Sequence, residues 1–567
     1  MTHNERSRGL VRALAITVTA VLSVVLVGPP AQAAPSHASP AAAVAPSVAW
    51  SPCRDGFECA MVPAPLDYDD PLGPQIGISV IRLPAGDPAQ RIGSLLLNPG
   101  GPGGSGVDFA RGVAQFLPLE LRARFDIVGF DPRGTNRSTP LRCFDTFAQA
   151  VAVLPPFPYP DTPAEERAQQ ASDDALAGAC AGHGGNILDH MSTADVARDM
   201  DLLRASFGDQ TLTYLGFSYG SVLGQYYANL FPSRVRALVI DGVLDPIAWT
   251  TGHGQDAATT PLGTRLGSAD GARRTLDEFF RLCDAAGPDC ALSGNASGRY
   301  AALGERLRGH PATITDPITG GTFTLTYNDL IATSLGAMYS PSVWPDFAGL
   351  LAGLEQQLSP AALGQRVAVI RTQLGLTGAA QEPYPNVIEA GAGVACSDSV
   401  NPRAFGVWQA AADSAEARYG RFGRIWNWAF SVCQSWPVTA GQDRYLGPWT
   451  ARTASPVLVV GNYFDPATPY PGAEAAAQLL PNSRLLTYAG WGHTAYFGAG
   501  NFCVNSTVTH YLVTAEVPPA GTVCQPEGSP FGPTAAAAAA LASAQVGAAA
   551  LDAVDVPAAV RRALHAG

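Results

Sequence analysis

Short apolar runs recur along the chain, most of them closed by Gly, Asp or Asn. Ile76–Ile81 alternates like an early strand, and Ser94–Leu97 is almost wholly apolar. Phe125–Phe130, Leu212–Leu215, Ala237–Ile240, Pro456–Val460 and Arg484–Tyr488 follow. Runs of this length, rich in Val, Ile and Leu, predict buried parallel strands. Between two of them, Thr193–Phe207 places Val196, Met200 and Leu203 at helical spacing, with Ser192 as the candidate cap. Strand, helix, strand predicts an α/β fold, a mostly parallel sheet with helices on both faces. The strand series stops after Asp245 and resumes at Ser455. The residues between read mostly as helices, for example Ala272–Ala286 and Val343–Leu358. A helical insertion there predicts a cap over the carboxyl edge of the sheet, where open α/β sheets place their ligands.

The two ends carry different patterns. Arg6, Arg8 and Arg12 precede the apolar run Ala13–Val27, and Ala31-Gln32-Ala33 fits a small-residue cleavage site, so residues 1–33 read as an export signal. A largely apolar run of fifteen residues ended by Pro29-Pro30 is short for a membrane span, and no membrane association is expected after cleavage. Residues 34–49 read as a disordered leader or propeptide, and 528–567 as an Ala-rich tail. The expected organisation between them is a core of 50–245, a cap of 246–454 and a second core segment of 455–527.

Composition narrows the chemistry. With 567 residues, 47% of them hydrophobic, the chain can bury a large core. Its net charge of −12 excludes an electrostatic nucleic-acid partner. Ten cysteines (Cys53, Cys59, Cys143, Cys180, Cys283, Cys290, Cys396, Cys433, Cys503 and Cys524) agree with export. Their order predicts five neighbour-to-neighbour bridges, although sequence alone does not fix the pairing. With no C-x-x-C pair and no His-rich cluster, no metal is expected.

Candidate chemistry centres on Gly216-Phe-Ser218-Tyr-Gly220, a match to the nucleophile elbow G-x-S-x-G. The motif is weak by itself in a chain with 60 glycines. Here it stands between the strand pattern Leu212–Leu215 and the helical pattern Ser221–Leu230, as a sharp strand-to-helix turn requires. Among nine histidines, His493 directly follows a late strand and comes after the serine in the order Ser, Asp, His of α/β hydrolases. Asp465 follows Pro456–Val460 through a short turn, 28 residues before His493, and is the candidate that orients the imidazole. Asp443 competes more weakly, because no strand precedes it. Asn98–Gly106 is Gly-rich and follows an apolar strand. Its Gly101 N–H and the Tyr219 N–H are the candidate oxyanion donors. A phosphate loop is excluded there, since no G-K-[ST] ending follows and the chain has no lysine.

Taken together, Trp50-Ser-Pro-Cys53, Val62–Tyr68, Asn98–Gly106, Asp131-Pro-Arg-Gly134, Gly216–Ser221, Asp465-Pro-Ala-Thr468 and Gly490-Trp-Gly-His493 resemble the secreted tripeptidyl aminopeptidases, a branch of the prolyl-aminopeptidase-like α/β hydrolases. The resemblance spans Trp50 to about Cys524. It implies a serine exopeptidase that removes short peptides from free N-termini without a cofactor. It also implies cap acids that bind the substrate ammonium, carried here to Asp398 and more loosely to Glu389. Thr468 is placed to hydrogen-bond the triad acid or simply to stabilise its turn. Asn136 departs from the resemblance, because the family tends to glycine there. An esterase or lipase on the same triad is the alternative, since fold and triad do not determine substrate. A non-catalytic binding protein is opposed by the intact Ser, Asp and His set.

Overall fold

All seven apolar runs lie in strands. The computed structural model describes residues 45–254, 256–317, 319–373 and 384–532. The export signal, most of the leader and most of the Ala-rich tail lie outside the described residues. The strands are β1 (Ser51–Pro52), β2 (Glu58–Pro65), β3 (Gln75–Leu83), β4 (Gly93–Asn98), β5 (Phe125–Phe130), β6 (Leu212–Phe217), β7 (Val235–Asp241), β8 (Ala312–Thr315), β9 (Thr322–Leu325), β10 (Val457–Phe464), β11 (Ser483–Trp491) and β12 (Val523–Cys524). Ten of them form one sheet in the order β1-β2-β3-β5-β4-β6-β7-β10-β11-β12. β1, β2 and β3 pair antiparallel, as do β3 and β5, whereas every pair from β5 to β12 is parallel. Every residue of β4, β5 and β6 is buried, as expected of parallel strands covered by helices on both faces.

The strand order reverses at β4, which has β5 on one side and β6 on the other. Such a switch point opens a crevice at the carboxyl ends of the strands. The register sets Asn98 beside Gly216, Phe217 beside Asp241, and Phe464 beside Trp491. The loops after β4, β6, β7, β10 and β11 therefore emerge along one edge.

The expected helix runs over Thr193–Ser206, and the Ser192 side chain accepts from the Asp195 N–H at its start. The stretch between β7 and β10 is mainly helical, including Ser268–Ala286, Tyr327–Met338, Trp344–Glu355 and Val387–Asp398. Its own core, built on Phe279, Trp344, Phe347 and Leu351, also takes in Ala467 and Trp491 from the sheet edge. The antiparallel pair β8–β9 interrupts the helices. Its alternating Thr, Ile and Phe with a Gly320-Gly321 turn is a strand signal too short to stand out in a helical neighbourhood. A 21-residue helix, Pro163–His183, was likewise not evident from periodicity. It buries Glu166, Ser172 and Asp173, which blurs its apolar face.

The cysteines pair as neighbours: Cys53–Cys59, Cys143–Cys180, Cys283–Cys290, Cys396–Cys433 and Cys503–Cys524. Five bridges point to folding in an oxidising compartment. Among the described residues no helix is long and apolar enough to cross a membrane.

A buried cation joins the layers. Arg133 donates to both Asp199 oxygens at 2.7 and 2.8 Å and to the carbonyls of Pro65, Leu66 and His190. Both side chains are wholly buried, and Tyr68 adds a hydrogen bond to Asp199. Removing one member of such a pair strands the other charge in a low-dielectric interior. Arg133→Ala is expected to lower the unfolding free energy by about 3–5 kcal/mol, read from the guanidinium midpoint; an unchanged midpoint would show that the pair does not hold the layers.

Candidate active site

At the end of β6 the chain turns on Ser218, whose backbone sits at φ 56°, ψ −122° before the helix Tyr219–Leu230 begins. A non-glycine residue at positive φ is strained, and the strain holds the side chain at the tip of the turn. The Ser218 N–H donates to the Asp241 carbonyl at 2.9 Å, which continues the β6–β7 ladder into the turn. The serine is only 2% exposed.

The β4 loop lies directly against this elbow. Gly100 has φ +97°, and a Cβ there would come within 2.8 Å of Ser218 Cβ and 3.0 Å of the Tyr219 N. Only glycine fits such an approach. The structure thus brings Gly100 to the Tyr219 N–H, which opens the helix where backbone donors have no partner within the helix. Asp131 supports the loop from below, accepting from Ser105 Oγ, the Val107 N–H and the Arg137 N–H. Burial pushes its carboxyl up to about 6 against those three bonds. Asn136 sits at φ 43° in the following turn, which accounts for a family preference for glycine at that position.

His493 and Asp465 meet at the ends of β11 and β10. The imidazole Nδ1 lies 3.0 Å from each Asp465 oxygen, and both side chains are fully buried. Asp465 also accepts from the N–H groups of Ala467 and Thr468 and from Thr468 Oγ1 at 2.8 Å. These donors fix the carboxylate that in turn fixes the ring. Thr468 therefore does hydrogen-bond the acid, and its hydroxyl is 3.2 Å from His493 Nδ1. The His493 N–H donates to the Tyr339 carbonyl, and the Tyr339 ring packs edge-on against the imidazole. Gly242, one residue beyond the carbonyl that holds Ser218, places the ring: a Cβ there would lie 3.1 Å from His493 Cε1. Serine, imidazole and carboxylate are thereby gathered at one edge, an arrangement that can take a proton from a hydroxyl and stabilise the imidazolium formed.

A small cavity of about 10 Å³ opens beside Ser218, lined by Leu244, Trp249, Leu266, Trp426, Phe430 and Thr468. The two acids expected to bind substrate lie elsewhere: among the described residues neither Asp398 nor Glu389 lines this cavity. Asp398 is wholly buried behind it. One oxygen accepts from the Thr193 N–H at 2.8 Å, the other from Thr193 Oγ1 and from Trp249 Nε1. Thr193 Oγ1 also meets the Tyr219 hydroxyl, so Asp398 braces two aromatic side chains next to the elbow. Burial pushes its carboxyl up to about 6. Glu389, on the helix Val387–Asp398 that packs on the β4 loop, accepts from the Tyr384 hydroxyl with one oxygen, while the other has no hydrogen-bond partner. Its carboxyl is pushed up to about 7, by burial first, with Arg142 opposing. Asp443, the weaker candidate for the orienting acid, pairs instead with His190 at 3.0 Å, near Asp67.

Trp249, Tyr339 and Asp241 were not singled out by the sequence. Trp249 and Tyr339 come from the helical stretch, where nothing local marks a residue as facing the sheet edge. Asp241 was legible only as the polar stop of an apolar strand.

A mostly parallel sheet with a strained serine turn, a Gly-rich loop at the switch point and a late Asp–His pair is the α/β-hydrolase fold. A family model described as alpha/beta hydrolase fold matches residues 93–273, and one described as TAP-like protein matches 417–524. Tripeptidyl aminopeptidase from Streptomyces lividans is 31% identical over 502 residues, covering 85% of this chain and 87% of that protein. From Mycobacterium tuberculosis, Serine protease Hip1 is 33% identical over 503 residues (84% and 91%), and Carboxylesterase B 33% over 506 (85% and 91%). The chain belongs to the TAP-like α/β-hydrolase family of serine hydrolases.

Two outcomes follow from the geometry. Gly100→Ala is expected to leave the fold intact but lower kcat/KM at least about tenfold, because the methyl group displaces the loop from the elbow; activity on an ester or peptide substrate with circular dichroism as control decides it. Separately, Asp131, Asp173, Asp241, Asp398 and Glu389 are all raised by burial, to about 6, 7, 7, 6 and 7. Between their unfolded and folded values the folded state binds more protons, so stability falls as pH rises through that window. The thermal midpoint should therefore drop between pH 5 and pH 8; a rise would mean that these carboxyls are not the dominant titrating groups.

Proposed function

We propose that this chain is a secreted serine exopeptidase that releases short peptides, tripeptides foremost, from free N-termini. Ser218 attacks the scissile carbonyl as His493 takes its proton, and Asp465 holds the imidazole and balances its charge. The N–H groups of Gly101 and Tyr219 receive the oxyanion. His493 then returns the proton to the leaving amine, the acyl-enzyme forms on Ser218 Oγ, and water activated by His493 releases the peptide acid. The observation that carries this reading is the doubly contacted Asp465–His493 pair at the same sheet edge as the strained Ser218 turn.

Peptidase action is supported by the relatives named tripeptidyl aminopeptidase and serine protease, and by the restricted space beside Ser218. The stretch 246–454 is the proposed cap, covering the amino-terminal side of the substrate. Its contacts on the β4 loop and on His493 support that role. For the substrate ammonium we assign Glu389, whose second oxygen is unengaged, in preference to Asp398, whose oxygens are both taken. The second reading, an esterase on the same triad, is favoured by the apolar walls of the cavity and by Carboxylesterase B at the same 33% identity as Serine protease Hip1.

Chromogenic anilides of one to four residues, each with a free and an acetylated N-terminus, separate these readings. Free tripeptide anilides should turn over and acetylated ones should not. Ser218→Ala should abolish turnover by on the order of 10⁴-fold or more. Turnover of short acyl esters alone would make the enzyme an esterase, and activity surviving in Ser218→Ala would remove the serine mechanism. Glu389→Gln should raise KM for free tripeptides about tenfold or more and leave ester hydrolysis unchanged; equal effects on both substrates would place the ammonium elsewhere.

A further inference from the structure

Asp241 ends β7 with its carboxylate wholly buried, and it is outside the catalytic set assigned above. Its carbonyl receives the Ser218 N–H. Its carboxylate receives the Ala495 N–H at 3.0 Å on each oxygen and the Tyr496 N–H at 2.7 Å. One residue therefore grips the backbone of the nucleophile and the backbone two and three residues beyond His493.

The histidine loop needs such a grip. Thr494 and Phe497 both sit at φ +67°. A β-branched residue in that region is a genuine outlier, and each such residue costs on the order of 1–3 kcal/mol unless its surroundings hold it there. Two N–H groups between the strained positions end on the Asp241 carboxylate. Gly242, the next residue, lies against the His493 ring, and the His493 charge acts on the Asp241 carboxylate.

We infer that Asp241 is a positioning residue of the reaction: its ionised carboxylate anchors the loop that carries His493 and stabilises the imidazolium formed when Ser218 gives up its proton. The inference rests on the Ser218–His493–Asp465 reading. The proton moves from Ser218 Oγ to His493 and back to the leaving group, and Asp241 gains none. Two titratable groups act on it. His493 favours its ionised form and Asp465 opposes it, while burial, the largest effect, pushes the carboxyl up to about 7. The phenol of Tyr496 is engaged with Thr509. Protonating Asp241 would remove a negative charge beside the imidazole and take one oxygen from the two N–H donors.

The test is the pH dependence of inactivation by a neutral fluorophosphonate, which reports Ser218 nucleophilicity whatever the natural substrate is. Asp241→Asn keeps an oxygen for the loop donors and deletes the charge. The inactivation rate at pH 8 should fall about tenfold, and the acid limb should move to lower pH, because the imidazolium has lost a stabilising anion. The wild-type limb should be steeper than one proton and the variant limb should fall to one. A folded Asp241→Asn protein whose acid limb keeps the wild-type position overturns the inference, since a purely structural role changes stability but not the limb. If that variant does not fold, the wild-type limb decides: a slope above one supports the inference and a slope of one overturns it. Ser218→Ala that still reacts would instead overturn the serine assignment itself, a result distinct from an unmoved limb.

Discussion

The parallel ladder running from β4 through β6, β7 and β10 to β11 fixes the height at which each strand ends, and the site depends on that alignment. Backbone hydrogen bonding between neighbours leaves no freedom of register without turning apolar side chains out of two buried faces. Asn98, Ser218, Asp241, Asp465 and His493 are therefore delivered to one edge by strands whose own residues are almost all apolar. These polar groups are the last residues of strands or the first residues beyond them. The ladder even continues into the elbow, since the Ser218 N–H still bonds the Asp241 carbonyl.

Burial at this edge has an electrostatic consequence. Asp131, Asp241 and Asp398 lie beneath the β4 loop, the His493 loop and the cavity wall, and each receives backbone or side-chain donors. Each is nonetheless raised by burial. Hydrogen bonds from neutral groups orient a buried carboxylate without fully replacing its hydration. Arg133 shows the contrasting solution, with a full countercharge on Asp199 and five donors used. The Arg133–Asp199 contact is a fully buried ion pair, whereas the Asp131, Asp241 and Asp398 carboxyls remain raised by burial and open to the local proton balance.

The strands and the places of Ser218, Asp465 and His493 at their ends were readable in the sequence because buried parallel strands are uninterrupted apolar runs, and their ends are marked by the first Gly, Asp or Asn. Ser218, Asp465 and His493 could be placed by strand order before any contact was known. The cysteine pairing followed chain order because each bridge closes a local segment, the longest spanning 37 residues. The acids of the helical stretch were not readable in this way. Asp398 and Glu389 stand on the same helix with similar burial, and only the tertiary donors Thr193 and Trp249 distinguish a braced carboxylate from one with an oxygen left over. Asp241 was hidden for a related reason, since Asp-Gly after an apolar run reads as a strand stop whether or not its side chain holds a distant loop.

Chemistry and selectivity are thus separated along the chain. The sheet edge supplies the proposed nucleophile, base and orienting acid from strand ends, positions set by backbone register and insensitive to surface change. The cavity walls come largely from Trp249, Leu266, Trp426 and Phe430, all within the stretch between β7 and β10, held by side-chain packing and by single hydrogen bonds such as Trp249 Nε1 to Asp398. Side-chain packing tolerates volume-conserving change far more readily than register does. A family built this way can keep one acyl-transfer apparatus while its members act on peptides or on esters, and relatives with both kinds of name stand at the same 33% identity to this chain. Overall identity therefore carries little information about substrate here. The bracing of Trp249 by Asp398 carries more, because Trp249 is one wall of the Ser218 cavity.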